Sequence, residues 1–383
     1  MSDAPVTLSQ VAREAGVSLA TASRAINGSA TRSVREDLRA RVLETARRLD
    51  YSPDPSAQAM ARGRTTALGL VVHDIADPYF STIAAGVARA AEREGLIVTL
   101  ASTEHSPDRE LAFVELARRQ RSRAIILAGS RTTPPDAGAG SAPAETAALA
   151  EGRSREGRPR ALESTLTAFQ AAGGGVAVIG QAVGDLPVVE IDNVGGADSL
   201  ARALHGIGYR RFGVLAGPPR LRTAADRTSG FLDTLAELGC PAPDRDVVHG
   251  AFTRDGGYEA MRELVSRSHI GTASGARADA PEVVFAVNDV MAVGAMAAVR
   301  DAGLSVPDDV AVAGFDDIHT LRDVTPALTT VRVPLEEVGE IATRMALGVE
   351  LENVLVHTEV VLRESTRRDP PGRHPTYGMR ATS

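Results

Sequence analysis

Lysine is missing altogether: every one of the 42 basic side chains in this 383-residue chain is an arginine. A phosphate loop of the Gly-Lys type and a Schiff-base lysine are therefore excluded, and several enzyme classes with them. Tryptophan is also absent, and the aromatic residues are five tyrosines and eight phenylalanines. The single cysteine, Cys240, rules out an internal disulfide and a cysteine-based zinc cluster. No run of 18 apolar residues exists to cross a membrane. The opening segment MSDAPVTLSQVAREAG lacks the basic and apolar regions of an export signal, so the expected compartment is the cytoplasm.

What remains is an ordinary globular composition, 43% hydrophobic and 24% charged, at a length that favours two or three domains. Charge is unevenly shared. Residues 1–64 hold ten Arg against seven Asp and Glu, a balance of +3; with −7 for the whole chain, the remainder carries −10. A basic head on an acidic body suits nucleic-acid contact at one end.

The head reads as three short helices. Thr7 and Gln10 form a capping box ahead of Leu8, Val11, Ala12 and Ala15, which share one helical face. Gly16 suits a left-handed helix end, and Ser18 can cap a second helix over Leu19 to Ile26. Ser33 and Glu36 form a second capping box, opening a third helix with Val34, Leu38, Val42, Ala46 and Leu49 on one side. Two short helices about a Gly-Val-Ser turn make a helix-turn-helix pattern, in which the second helix enters the major groove. Its reading face comprises Ser18, Leu19, Ala20, Ser23, Arg24 and Asn27. Leu19 and Ala20 suit thymine methyls, and Arg24 can bond a guanine edge bidentately. The alternative is a small helical cap with Arg24 merely solvated.

From Leu68 onward short apolar runs alternate with amphipathic stretches, from strand 68–72 and helix 81–94 to helix 289–302 and strand 309–314. The fold class is therefore α/β, with parallel sheets behind a three-helix head. Two sheets are expected, because some 300 residues exceed one comfortable core. Residues 131–160 read as a flexible surface insertion, and 367–383 as a disordered tail without leucine heptads.

The run VTLSQVAREAGVSLATASRAING followed by LDYSPDPSAQAMARGR resembles the DNA-binding head and hinge of the LacI/GalR family of bacterial regulators. The likeness continues through ALGLVVHDIADPYFSTIAAGVARAAEREG, the Ala286-Val287-Asn288-Asp289 strand end, and GFDDI to LTTVRVP. It implies a helix-turn-helix domain over 1–52, a hinge helix over 53–64 and a two-lobed, periplasmic-binding-protein-like core over 65–366. The N-lobe would take 65–190 and 335–349, the C-lobe 193–331 and 354–362. In that family the hinge helix folds on DNA and wedges an apolar side chain into the minor groove. Met60 stands at that position, and it can part a base step if it is not instead a buried hinge contact. Pro55 departs from the commoner polar residue at the hinge start, yet is tolerated in a first helical turn. Thr7, Thr21, Tyr51 and Ala57 complete the expected DNA-contacting set.

A ligand would bind between the lobes, beyond the carboxyl ends of the strands. Tyr79 and Phe80 lie there and could stack on a sugar or base, although Phe80 equally suits the N-lobe core. Asn288 and Asp316 can bond vicinal hydroxyls; Asp289 and Asp317, the second member of each pair, suit capping. The family pattern adds Arg227 as its main effector-binding arginine, Phe252 as an aromatic wall, and Thr223 and Gln181. No phosphate-specific arginine pair, metal-ligand spacing or cofactor motif is seen, so neither metal nor cofactor is expected. The reading is a homodimeric, ligand-controlled repressor of a near-palindromic double-stranded operator. Two other readings are a sugar-binding protein with a vestigial head and a sugar-processing enzyme. The missing export signal speaks against the first. Against the second, adjacent acids on one strand end do not face a common bond.

Overall fold

The computed structural model describes residues 6–27, 34–52, 65–130, 158–270 and 279–367. The expected wedge Met60, the DNA-contacting candidate Ala57, the cap Ser33, the hinge Pro55 and most of the insertion and tail lie outside them.

The head contains α1 (Leu8–Glu14), α2 (Leu19–Asn27) and α3 (Glu36–Arg48). The capping box of α1 is closed on both sides: the Gln10 N–H reaches Thr7 Oγ1 at 3.4 Å, and the Thr7 N–H reaches Gln10 Oε1 at 2.8 Å. Gly16 takes φ +63°, ending α1 in the left-handed region open to glycine. Ser18 Oγ then accepts the Thr21 N–H at 3.2 Å and caps α2, which starts at the next residue. The third helix departs from expectation. It begins at Glu36 behind Arg35, whose side chain makes no capping bond. Glu36 and Asp37 in the first turn favour the positive helix end instead. Val11, Ala12, Ala15, Ala22, Ala25, Val42 and Ala46 form the head's own core.

The body carries two parallel sheets. The first is ordered β2-β1-β3-β4-β5-β11, from β1 (Ala67–Val72), β2 (Ile97–Ser102), β3 (Ala124–Gly129), β4 (Gly175–Gly180), β5 (Val188–Ile191) and β11 (Val354–Val356). Between these strands run α4 (Pro78–Arg93), α5 (Pro107–Arg119) and α6 (Arg158–Ala171). The second sheet is ordered β7-β6-β8-β9, from β6 (Phe212–Ala216), β7 (Val247–His249), β8 (Val283–Ala286) and β9 (Ala311–Ala313). Its helices are α7 (Asn193–Gly206), α8 (Arg222–Glu237), α9 (Arg254–Ser268) and α10 (Asp289–Asp301). Strands β1, β3, β4, β6 and β8 are buried along nearly their whole length, as both-face coverage by helices requires.

Three crossovers join the sheets. One passes from β5 through Asp192 into α7. Another leaves β10 (Thr330–Arg332) for α11 (Leu335–Ala346), which returns to pack on α4. At the third the expectation needs correcting. The segment 354–362 is not one C-lobe strand: Val354–Val356 pairs with β5 in the first sheet, and β12 (Glu359–Val361) pairs antiparallel with β10. The chain changes sheets at His357-Thr358, because residues 354–356 supply the parallel edge that β5 would otherwise leave open.

Candidate functional site

Both sheets reverse their winding direction beside their first strand, at β1/β3 and at β6/β8. Strand-end loops part at such switch points and leave a crevice. A cavity of about 430 Å³ occupies it, within the range of small-molecule sites. Its wall is made from residues that follow β1, β2, β3, β6, β7, β8 and β9.

Arg227, on α8, is the largest fully buried side chain, 1% exposed. Its Nε–H donates to Asn193 Oδ1 at 2.8 Å, Nη1 to the Val287 carbonyl at 2.9 Å, and Nη2 to Asp316 Oδ1 at 2.8 Å. The guanidinium lies 3.8 Å above the Phe315 ring. A charge this deep persists only when paired and hydrogen-bonded, and three of the five guanidinium donors are held by protein. Burial pushes the Asp316 carboxyl up to about 6, and Arg227 works against that rise. Asp316 itself sits at φ +124°, where a non-glycine residue is strained.

An aromatic wall faces this pair. Tyr79 and Phe80 meet edge to face with centroids 5.0 Å apart; His73 lies 5.8 Å from Phe80 and 4.3 Å from His105. Asp77 caps α4 by accepting the Tyr79 N–H at 2.9 Å, which fixes that aromatic at the helix start. Burial raises the Tyr79 hydroxyl well above the ordinary phenol range, so it stays a neutral donor. Phe80 is both core and wall: it is 8% exposed and lines the cavity. Phe252, half-buried, lines the opposite side with Thr253 and Arg254.

Thr223 lines the cavity, and Gln181 reaches it only through neighbours. Gln181 Nε2 donates to Thr223 Oγ1 at 3.1 Å and to Ser130 Oγ at 3.4 Å, while the Thr223 N–H donates to Ser130 Oγ at 3.1 Å. The two bonds to Thr223 run from strand-end loops of the first sheet to the start of α8 and bring the lobes together over the cavity. Asn288 is a lining residue, but its Oδ1 accepts the Met291 N–H at 2.8 Å and caps α10. The expected division of labour is thus reversed: the first member of Asn288-Asp289 caps. Asp289, fully buried, accepts Thr330 Oγ1–H at 2.6 Å and the Ile318 N–H at 3.0 Å. Asp317 caps nothing either; it accepts from Arg332 and Arg363.

Asn193, Phe315 and Ser130 were not among the candidates. Asn193 and Ser130 carry the same signal as Asn288, a polar residue directly after an apolar strand. Phe315 carries none, because a buried phenylalanine beside a strand reads as core.

In the head, Ala22 and Ala25 point α2 into its core, which leaves Ser18, Leu19, Ala20, Thr21, Ser23, Arg24 and Asn27 on the other side. Leu19 is 51% exposed. Arg24 Nε donates to the Ala20 carbonyl at 2.9 Å and Asn27 Nδ2 to Ser23 Oγ at 3.3 Å, both within the helix. Thr7 is exposed, whereas Tyr51 packs against the head's core.

Residues 7–54 match the model for bacterial regulatory proteins of the lacI family. Residues 65–141 match periplasmic binding proteins and the sugar-binding domain of the LacI family, and 201–366 a periplasmic-binding-protein-like domain. The transcriptional regulator GalS of Salmonella typhimurium is 33% identical over 344 residues, 89% of each chain. This chain belongs to the LacI family. The transcriptional repressor PurR of Salmonella paratyphi B is 29% identical over 371 residues, 95% of this LacI-family chain and 98% of the relative. The regulator CelR in complex with cellobiose has a TM-score of 0.62 at 28% identity, covering 94% of this chain and 99% of that one. The lac repressor dimer on its operator shares the fold, with a TM-score of 0.74 at 22% identity over the same fractions. No helix among the described residues is long and apolar enough to cross a membrane.

Proposed function

We propose that this chain is a transcriptional repressor that binds a near-palindromic operator as a homodimer, under the control of a small uncharged carbohydrate held in the cleft. In this reading residues 1–52 read DNA, 53–64 form the hinge and 65–366 bind ligand and dimerise. The observation that carries the ligand is the buried Arg227, tied down by Asn193, Val287 and Asp316 and still holding two N–H donors at the cavity floor. Asp316 supplies acceptors and the Asn288 amide supplies N–H donors for hydroxyls, while Tyr79, Phe80 and Phe252 supply apolar faces for a ring. Thr223 and Gln181 act at the rim. Asp74, Asp77, Asp255 and Asp316 outnumber Arg227 and Arg254 around the cavity, which disfavours phosphorylated or carboxylated ligands. The cellobiose bound by the related CelR supports a sugar.

On the DNA side, Ser18 and, along α2, Leu19, Ala20, Thr21, Ser23, Arg24 and Asn27 contact base edges in this reading, with Thr7 and Tyr51 as further contacts of the head and Ala57 and Met60 as those of the hinge. A dimer is needed because one short helix reads few base pairs. The ligand acts only through different affinities for the DNA-binding and released states. The chain performs no catalysis in this account.

A thermal-shift panel of neutral sugars and nucleosides on the full chain tests the cleft assignment. At least one compound should raise the melting temperature of wild type, as mass action requires, and the same compound should leave R227A unshifted. Stabilisation that survives in R227A removes the ligand from this cleft.

A further inference from the structure

The cleft carboxylate Asp316 is followed by a second carboxylate with a different set of partners. Asp317, whose side chain is 12% exposed, takes Arg332 Nε–H on Oδ2 at 2.8 Å and an Arg363 Nη2–H on Oδ1. Arg332 belongs to β10 and Arg363 follows β12, so the two guanidiniums come from the two crossover segments that pair with each other. Arg332 Nη1 also reaches Glu359 at 3.1 Å, and Arg363 Nη1 donates to the Leu328 carbonyl at 2.9 Å. The backbone adds to this junction. The Asp316 N–H donates to the Val331 carbonyl at 2.8 Å, and the Val333 N–H to the Asp316 carbonyl at 3.2 Å. Both acids have positive φ, +124° and +56°. Asp289 pins the same turn from below, through the Ile318 N–H and its own N–H to the Phe315 carbonyl at 2.8 Å. Strained backbone persists where surrounding bonds over-determine it, and here they do so at the base of the crossover.

We infer that Asp317 is a positioning residue that clamps the two crossover segments to the cleft floor, so that the lobe-to-lobe arrangement and the placement of Asp316 against Arg227 are set by one junction. Neutralising Asp317 removes the ion pair that Arg332 and Arg363 share, leaving them only Glu359 and the Leu328 carbonyl, and lets β10 and β12 shift relative to the 315–318 turn. The lobes then sample more than one angle with the cores of both sheets intact. The inference needs no ligand and stands apart from the proposed function.

Spin labels on the full chain test it. Cys240 is replaced in a C240S background, and A168C on α6 and A236C on α8 place one label on an exposed site in each lobe, diluted with unlabelled chain to isolate distances within one subunit. The parent should give one narrow distance. D317N, and R332Q to a smaller degree, should broaden it or add a second population, while the unlabelled cores keep their circular dichroism. E359Q, which removes only an exposed partner of Arg332, should match the parent. R332Q retains the Arg363 contact and half the clamp, so it reports even if D317N does not fold. A narrow parental distance in folded D317N, or in R332Q where D317N fails to fold, overturns the inference.

Discussion

Arg227 and its partners illustrate how a single side chain shapes this site. Removing one member of a buried ion pair commonly costs about 3–5 kcal/mol because the other is left uncompensated. That cost explains the density of bonds around the guanidinium. A second buried acid makes a pH-dependent prediction. Burial, with the nearby Asp316 charge, pushes Asp289 from 3.8 up to about 8. Between those pH values the folded chain keeps a proton that the unfolded chain gives up. Stability should therefore fall as pH rises from about 4 to about 8. In D289N the amide oxygen can accept the Ile318 N–H, the Thr330 hydroxyl turns from donor to acceptor of the amide N–H, and the side chain cannot titrate. Urea midpoints measured across this window should show a shallower decline for D289N than for wild type. Parallel curves would mean that Asp289 does not hold its proton in the fold.

At the level of elements, each lobe is closed by a helix pair whose backbones touch through glycine. On α10, a methyl at Gly294 would stand 1.9 Å from the Arg254 carbonyl oxygen; on α4, one at Gly86 would stand 1.9 Å from that of Glu336. Both contacts are backbone, which cannot swing aside, so G294A and G86A should each destabilise by about 1–3 kcal/mol. Chemical denaturation checks this, and unchanged midpoints would show that the helices can separate freely. Most elements were legible in the sequence, since buried strands and amphipathic helices differ in period and length; β5 and β10, four and three residues long, are too short to carry such a pattern. Strand β1, expected over 68–72, spans Ala67–Val72, and α10, expected over 289–302, spans Asp289–Asp301. The crossovers were less so. Residues 354–362 have strand character throughout, and nothing in that pattern marks where the chain leaves one sheet for the other. The site divides the same way. Arg227 and Asp316 could be named from motif position, but their contacts with Asn193 and Phe315 come from distant segments and have no sequence spacing to read. The sequence reading gives capping to the wrong member of Asn288-Asp289, because both residues suit a cap and only the distant partners of Asp289, Thr330 and Ile318, decide between them.

Across the whole molecule, a basic head joins an acidic body, and chemistry is divided between them. The exposed side of α2 offers polar and small apolar groups without any enclosed site, and the cleft encloses a ligand-sized space. In the proposed function α2 reads base edges, and the cleft acts only by changing how well it does so. Selection of the full-length protein on a randomised duplex library measures this directly. Wild type should enrich an inverted repeat whose half-sites are one helical turn apart or a multiple of it, and R24A should lose preference at one symmetric position while still binding DNA at low salt. A library that emerges without an enriched repeat, or an R24A selection identical to wild type, would contradict it.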